Sequence, residues 1–356
     1  MSHHPYRALP AKAFWKRSVA EVAPDAIDPV GRFDLRIDPG MKIATAGSCF
    51  AQHIARHLEE SGFTYHVAER AHPLLADLGR EHGYGIYSAR YGNIYTSRQL
   101  RQLVDRALGH FVPADDCWRS ASGAFIDPFR PSAQPGGFKS EAEMRADRRQ
   151  HLACVRSLFA DLDVFVFTLG LTEAWLSVED GAVYPICPGV EGGSFDPERY
   201  RFVNLGVQDV IDDMAAFLAD LRELNPGAQI ILTVSPVPLA ATAETDEHVL
   251  TATTYSKSVL RVAAGMLRDA HANVHYFPSY EIITAQAARG RYYLPDLRNV
   301  TEDGVRHVMR VFLARATSAS PEAPLPRAAP EQDRLAEQMS EFVEVLCDEE
   351  KLDSEG

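Results

Sequence analysis

The residue types best suited to chemistry meet at Gly47-Ser48-Cys49, where an apolar stretch hands over to a helical pattern. Ile43 and the small residues of Lys42-Ile43-Ala44-Thr45-Ala46 suit a buried parallel strand, and Phe50, Ile54 and Leu58 then recur at helical spacing. Ser48 therefore falls at the carboxyl end of a strand, the edge at which open α/β sheets bind ligands. A serine there is placed as a nucleophile, with backbone N–H groups of the helix start aimed at a developing oxyanion. Gly47 lets the backbone turn sharply into that position. The same position also suits a helix N-cap, whose hydroxyl is engaged by the backbone. Cys49 offers a second nucleophile, because a helix N-terminus favours the thiolate; it equally suits a small core residue. His53 and His57 have the i, i+4 spacing of a metal pair, but no third ligand accompanies them, and neither a metal nor a cofactor is expected.

Gly47-Ser48-Cys49-Phe50-Ala51 resembles the signature of the GSCFA family, which is similar to the SGNH hydrolases, three-layer α/β/α proteins with a serine nucleophile near the N-terminal strand. Other stretches also look like family blocks: Pro5 to Pro10 with Ala13-Phe14-Trp15, Tyr91-Gly92-Asn93-Ile94-Tyr95, Thr168 to Glu173, Ser235-Pro236-Val237-Pro238, Ser256-Lys257 and Pro278-Ser279-Tyr280-Glu281. The resemblance covers most of residues 5 to 316. It implies that Gly92 with Asn93, and the block Gly170-Leu171-Thr172-Glu173, contribute oxyanion or substrate contacts. Thr172 stands where the pattern has Asn, and a hydroxyl donates one hydrogen bond where an amide offers two. Gly92-Asn93 also suits a simple turn.

In the SGNH pattern the base comes from an Asp-x-x-His segment before the last helix. Here that segment reads Asp296-Leu297-Arg298-Asn299, so Asn299 takes the place of His, and asparagine cannot act as a general base. His307 is the nearest substitute, expected to point away from the apolar stripe of the last helix and to pair with Asp303. His72 and His82 are its rivals from an earlier loop-rich insertion. The resemblance thus implies Ser48, His307 and Asp296 as the catalytic set, with Gly92, Asn93, Gly170, Thr172 and Asn299 around them. The activity it implies is that of a serine acyl esterase or O-acyltransferase acting on a carbohydrate ester. A glycan- or acyl-ligand-binding protein with reduced catalysis is the alternative, favoured by Asn299.

The bulk properties are those of a folded protein. The 356 residues are 46% hydrophobic and 24% charged, which excludes wholesale disorder. A net charge of −13 without any Lys/Arg-rich run argues against phosphate-backbone binding, so nucleic acid is not an expected partner. Five cysteines, an odd number without CxxC spacing, fit reduced thiols in a cytoplasm. The N-terminus lacks the apolar run of a signal peptide, and no stretch reaches the roughly 20 apolar residues that span a bilayer.

The elements that must position Ser48 follow from periodicity. Residues 1–40 read as an arm packing on a domain over 41–316. Buried strands are expected near 42–46, 163–168, 229–234 and 273–277, with a shorter one at 63–67. Helices are expected over 48–61, 96–108, 141–160, 207–224 and 255–267, and one more is capped by Thr301 with the stripe Val305, Val308, Met309, Phe312 and Leu313. Residues 70–140 are the insertion, and 184–204 form a Gly/Pro-rich loop. The alternation predicts an α/β fold, a parallel sheet covered on both faces, in the flavodoxin-like three-layer architecture the resemblance implies. An Ala/Pro linker over 317–330 leads to an acidic amphipathic helix over 331–356, expected to dock on its own domain or to serve self-association.

Overall fold

The computed structural model describes residues 4–73 and 79–317, with Cys49 and Arg80 in backbone only. Strand β1 (Lys42–Gly47) leads into helix α1 (Cys49–Glu60) and β2 (Thr64–Tyr65). Next come α2 (Ser97–Leu108), a hairpin of β3 (Trp118–Arg119) and β4 (Phe125–Ile126), α3 (Glu141–Asp161) and β5 (Val164–Leu169). A small sheet of β6 (Glu173–Ser177), β7 (Val183–Tyr184) and β8 (Tyr200–Asn204) precedes α4 (Val207–Leu224) and β9 (Gln229–Val234). The chain closes with α5 (Val249–Ala270), β10 (Val274–Tyr276), α6 (Ser279–Thr284) and α7 (Glu302–Ala316).

Five strands make the central sheet in the order β10-β9-β5-β1-β2, every pair parallel. Strand β5 shows why the sheet is covered twice. Side chains alternate along a strand, so Phe165 and Phe167 enter the core under α2, α3, α4 and α5, while Val164 and Val166 enter the one under α1, α6 and α7. A strand buried on both faces must be apolar throughout, which is how Val164 to Leu169 reads. The result is a three-layer α/β/α arrangement. Residues ahead of β1 seal the second core: Val30, Phe33 and Ile37 are buried in it, and the Ile37 N–H donates to the Ala316 carbonyl at 2.7 Å.

Departures from the expected elements are local. Within the expected loop at 184–204, β8 pairs antiparallel with β6, its short alternating run hidden by the glycines and prolines before it. Helix α5 begins earlier than its apolar stripe, because the His248 ring accepts the Leu250 N–H as an unusual cap. The expected linker and acidic helix fall beyond 317, outside the described residues. Among the described residues no helix is long and apolar enough to cross a membrane.

The junction between β1 and α1 depends on one glycine. Gly47 has φ +138°, and a Cβ there would lie 2.4 Å from the Thr168 carbonyl oxygen of β5. Relief requires moving one strand off the other. We expect Gly47→Ala to lower unfolding free energy by about 3 kcal/mol or more, whereas Gly31→Ala, with nothing within 4 Å, should stay within about 0.5 kcal/mol of wild type. Denaturant unfolding of both variants measures the difference.

Candidate active site

Ser48 occupies the N-cap position of α1 but does not cap it. Its backbone is extended (φ −77°, ψ −178°), and the side chain accepts no bond from the helix. The capping residues of α2, α3 and α7, namely Thr96, Ser140 and Thr301, all accept the N–H three residues on. Ser48 is 7% exposed, and its Oγ is buried with no hydrogen-bond partner among the described residues. A buried hydroxyl left without a partner costs stability unless it has another use.

The hydroxyl belongs to a cavity of about 300 Å³, lined also by Tyr95, Gly170, Leu171, Ser235, Lys257, Arg298 and the segment 237–239. Three adjacent strands deliver Ser48, Gly170 and Ser235 just past their carboxyl ends. Gly170 makes the convergence possible: a Cβ there would lie 2.9 Å from the Tyr95 carbonyl oxygen and 3.5 Å from Ser48 Cβ. The N–H groups of Gly170 and Leu171 donate to that Tyr95 carbonyl at 3.0 and 3.1 Å. Lys257, 2% exposed on the inner face of α5, donates from Nζ to the Gly170 carbonyl at 2.5 Å. Serine, a buried amine and a mobile-length cation, Arg298, thus face one small space. That set can support nucleophilic chemistry on a substrate that develops negative charge.

The sequence model of the GSCFA family matches residues 42–312, a span that contains every residue lining this cavity. The chain belongs to the GSCFA family. No curated protein matches it.

The other residues singled out in the sequence of this GSCFA protein distribute unevenly around the cavity. Gly170 lies in it, but its N–H is engaged by Tyr95 and its carbonyl by Lys257, so its contribution is to hold the lysine. Thr172 does not line it: the Thr172 hydroxyl donates to Asn204 Oδ1 at 2.6 Å, and its N–H donates to Ser256 Oγ at 3.0 Å. Gly92 and Asn93 line a neighbouring cavity. Because the Ile94 N–H donates to the Gly47 carbonyl at 2.9 Å and Tyr95 reaches Ser48, residues 92–95 form the wall between the two. Asp296 is exposed and builds a turn, accepting the N–H groups of Arg298 and Asn299 and, at 2.7 Å, the Asn299 side-chain amide. That turn, with Leu297 at φ +57°, places Arg298 rather than Asn299 at the cavity.

Expectations for the histidines need correction. His307 neither points outward nor pairs with Asp303. It is 3% exposed, and its Nε2–H donates to the Ile27 carbonyl, which leaves Nδ1 to accept the Tyr292 hydroxyl, both at 2.8 Å. The face of α7 that looks polar by periodicity is covered by the segment ahead of β1, which the helix pattern alone does not reveal. His82 lines the neighbouring cavity, His72 is exposed, burial brings the His53 pKa down to about 4, and His57 lies 3.2 Å from Glu302. Among the described residues no histidine lines the Ser48 cavity. The Cys49 side chain lies outside what is described. Asp105, His110 and Asp220 bring ligand atoms within 4.8 Å of one another, but none of them lines this cavity.

Lys257, Arg298, Tyr95 and Ser235 are the lining residues that sequence reasoning missed as site residues. A signal existed for Lys257: a lysine flanked by Ser256, Val259 and Leu260 on an apolar helical face is a buried cation, and lysine is almost never fully buried without a partner.

The placement of His307 has a consequence for stability. Burial lowers its pKa from 6.5, so the unfolded chain binds more protons than the folded one below that value. The associated stability is present above pH 6.5 and is lost as pH falls. We expect His307→Ala to cost about 2 kcal/mol at neutral pH and to flatten the acid side of the stability profile, read by unfolding above and below pH 6.5.

Proposed function

We propose that this protein transfers acyl groups through Ser48, with Lys257 as the proton acceptor. The observation that carries the reading is the shared small cavity: a buried serine hydroxyl that declines to cap its helix, facing a buried lysine held by the Gly170 carbonyl. Ser–Lys pairs are a known variant of the nucleophile and base arrangement. Lysine acts as a base where its surroundings disfavour the ammonium form, and burial is the usual means.

In the proposed reaction Ser48 Oγ attacks an ester carbonyl while its proton passes to the Lys257 amine. Negative charge then develops on the carbonyl oxygen. The first turn of α1, which the Ser48 side chain leaves uncapped, offers N–H donors and the positive end of the helix dipole, and Arg298 adds a positive charge. Collapse of the tetrahedral intermediate breaks the ester bond, and the leaving alkoxide takes the proton back from Lys257. Water or a sugar hydroxyl repeats the sequence in reverse and releases the acyl group. Asp296 acts at one remove, by holding the turn that carries Arg298. The resemblance to SGNH enzymes supports a carbohydrate ester as substrate. A ligand-binding protein with reduced catalysis is the second reading, favoured by the engagement of Asn299 with Asp296 in the place where the pattern has its histidine.

Short-chain umbelliferyl esters test the proposal. Wild type should turn them over, Ser48→Ala should abolish turnover, and Lys257→Met should lower kcat by about 100-fold or more. Lys257→Arg should not restore the rate, since guanidinium keeps the charge but does not release its proton. Changes at His72, His82 or His307 should matter far less per folded molecule. Activity surviving in Ser48→Ala removes the nucleophile assignment, and full activity in Lys257→Met removes the base. Saturable acyl-sugar binding without turnover in wild type would favour the second reading.

A further inference from the structure

Beyond the wall at residues 92–95 lies a second recess, two adjoining clefts of about 420 and 370 Å³ that share Tyr91, Asn93, Phe129, Arg130 and Pro185. Beneath it is a dense buried charge network. Arg130 pairs with Asp127 and Asp147 at 2.9 and 2.8 Å, Arg90 pairs with Asp147 at 2.9 Å, and Arg148 pairs with Asp127 and Asp116 at 2.9 Å each. Glu69 accepts the Arg90 N–H and sits 2.7 Å from His151 Nδ1. These buried arginines meet carboxylates, as buried cations should.

Arg106 does not. It is 8% exposed on α2 and lines the recess, yet no carboxylate forms an ion pair with it among the described residues. Its guanidinium stacks over Phe129, 3.9 Å from the ring centroid, which sets the plane of the fork. Two nitrogens of residues that line this recess, Arg106 Nη2 and Arg130 Nη1, are buried with no acceptor among the described residues. Burial outweighs Asp127 and, together with Arg148 and Arg130, pulls the Arg106 pKa down to about 9. An isolated buried cation is a heavy cost, and arginine's planar fork is matched to a carboxylate or phosphate.

We infer that this recess is an anion-binding site for a carboxylate or phosphate group, with Arg106 Nη2 and Arg130 Nη1 as donors and Phe129 as the platform. The inference does not rest on acyl transfer at Ser48. The bound group adds an acceptor for the two nitrogens that the network leaves without one. Because residues 92–94 line the recess and Tyr95 lines the Ser48 cavity, an occupant here touches the segment that carries Tyr95 to Ser48.

The test uses the full chain with inorganic phosphate and with acetate, each against chloride at matched ionic strength. Titration calorimetry and thermal unfolding should reveal saturable binding of at least one of the two anions, and the stronger of them identifies the group. Arg106→Met and Arg106→Gln should weaken it about tenfold or more. In anion-free buffer Arg106→Met should be at least as stable as wild type, because it removes an uncompensated buried charge. No response beyond chloride, binding unchanged in both variants, or a clear loss of stability in anion-free Arg106→Met would each overturn the proposal, the last by marking Arg106 as a structural cation.

Discussion

The close approach of Gly47 on β1 to the Thr168 carbonyl on β5 governs the rest of the candidate site. Two neighbouring parallel strands can end with their backbones this near only if one residue lacks a Cβ and accepts φ +138°. The sharp exit from β1 then turns the chain into α1 with Ser48 still extended and its hydroxyl off the helix axis. Gly170 repeats the device one strand away, where the absent Cβ lets the Tyr95 carbonyl and Ser48 close in. Two glycines at adjacent strand ends, rather than a specialised loop, make room for Ser48.

Positive charge is handled differently in the two cavities. Next to Ser48, the buried Lys257 donates to the Gly170 carbonyl, which orients its amine at the cavity. In the neighbouring recess, Arg90, Arg130 and Arg148 are matched against Asp116, Asp127 and Asp147, a network that joins the loops at Arg90 and Arg130 to α3. Half-satisfied polar networks are costly in a low dielectric, which is why the lone guanidinium of Arg106 stands out chemically against its paired neighbours.

The segment ahead of β1 does more than extend the chain. Its Ile27 carbonyl takes the His307 ring, its Ile37 N–H takes the end of α7, and Val30, Phe33 and Ile37 complete the core beneath α1 and α7. By burying a second face of α7 it converts an apparently solvent-facing histidine into a structural one, with the tautomer set by a carbonyl that can only accept.

Much of the scaffold was legible in the residues themselves. The apolar runs at β1, β5 and β9 specify buried parallel strands because each is covered on both faces, and the Gly47-Ser48 junction announces a strand end followed by a helix. Thr301 could be read as a cap because its bond to Gly304 is local. Short strands such as β8 escaped notice, since a five-residue edge strand has too little periodicity to separate it from a loop. What the chain order could not disclose is which distant side chains share a cavity. Lys257 lies more than two hundred residues from Ser48, and its side chain reaches the site only because α5 packs on β9 and β10. His307 looked available because helical periodicity describes one helix against one core, and says nothing about a second segment folding over its other side. Local hydrogen bonding and hydrophobic alternation are written in neighbouring residues, whereas burial of a charge and the occupancy of a hydroxyl depend on what the rest of the chain brings against them, and only the tertiary structure decides that.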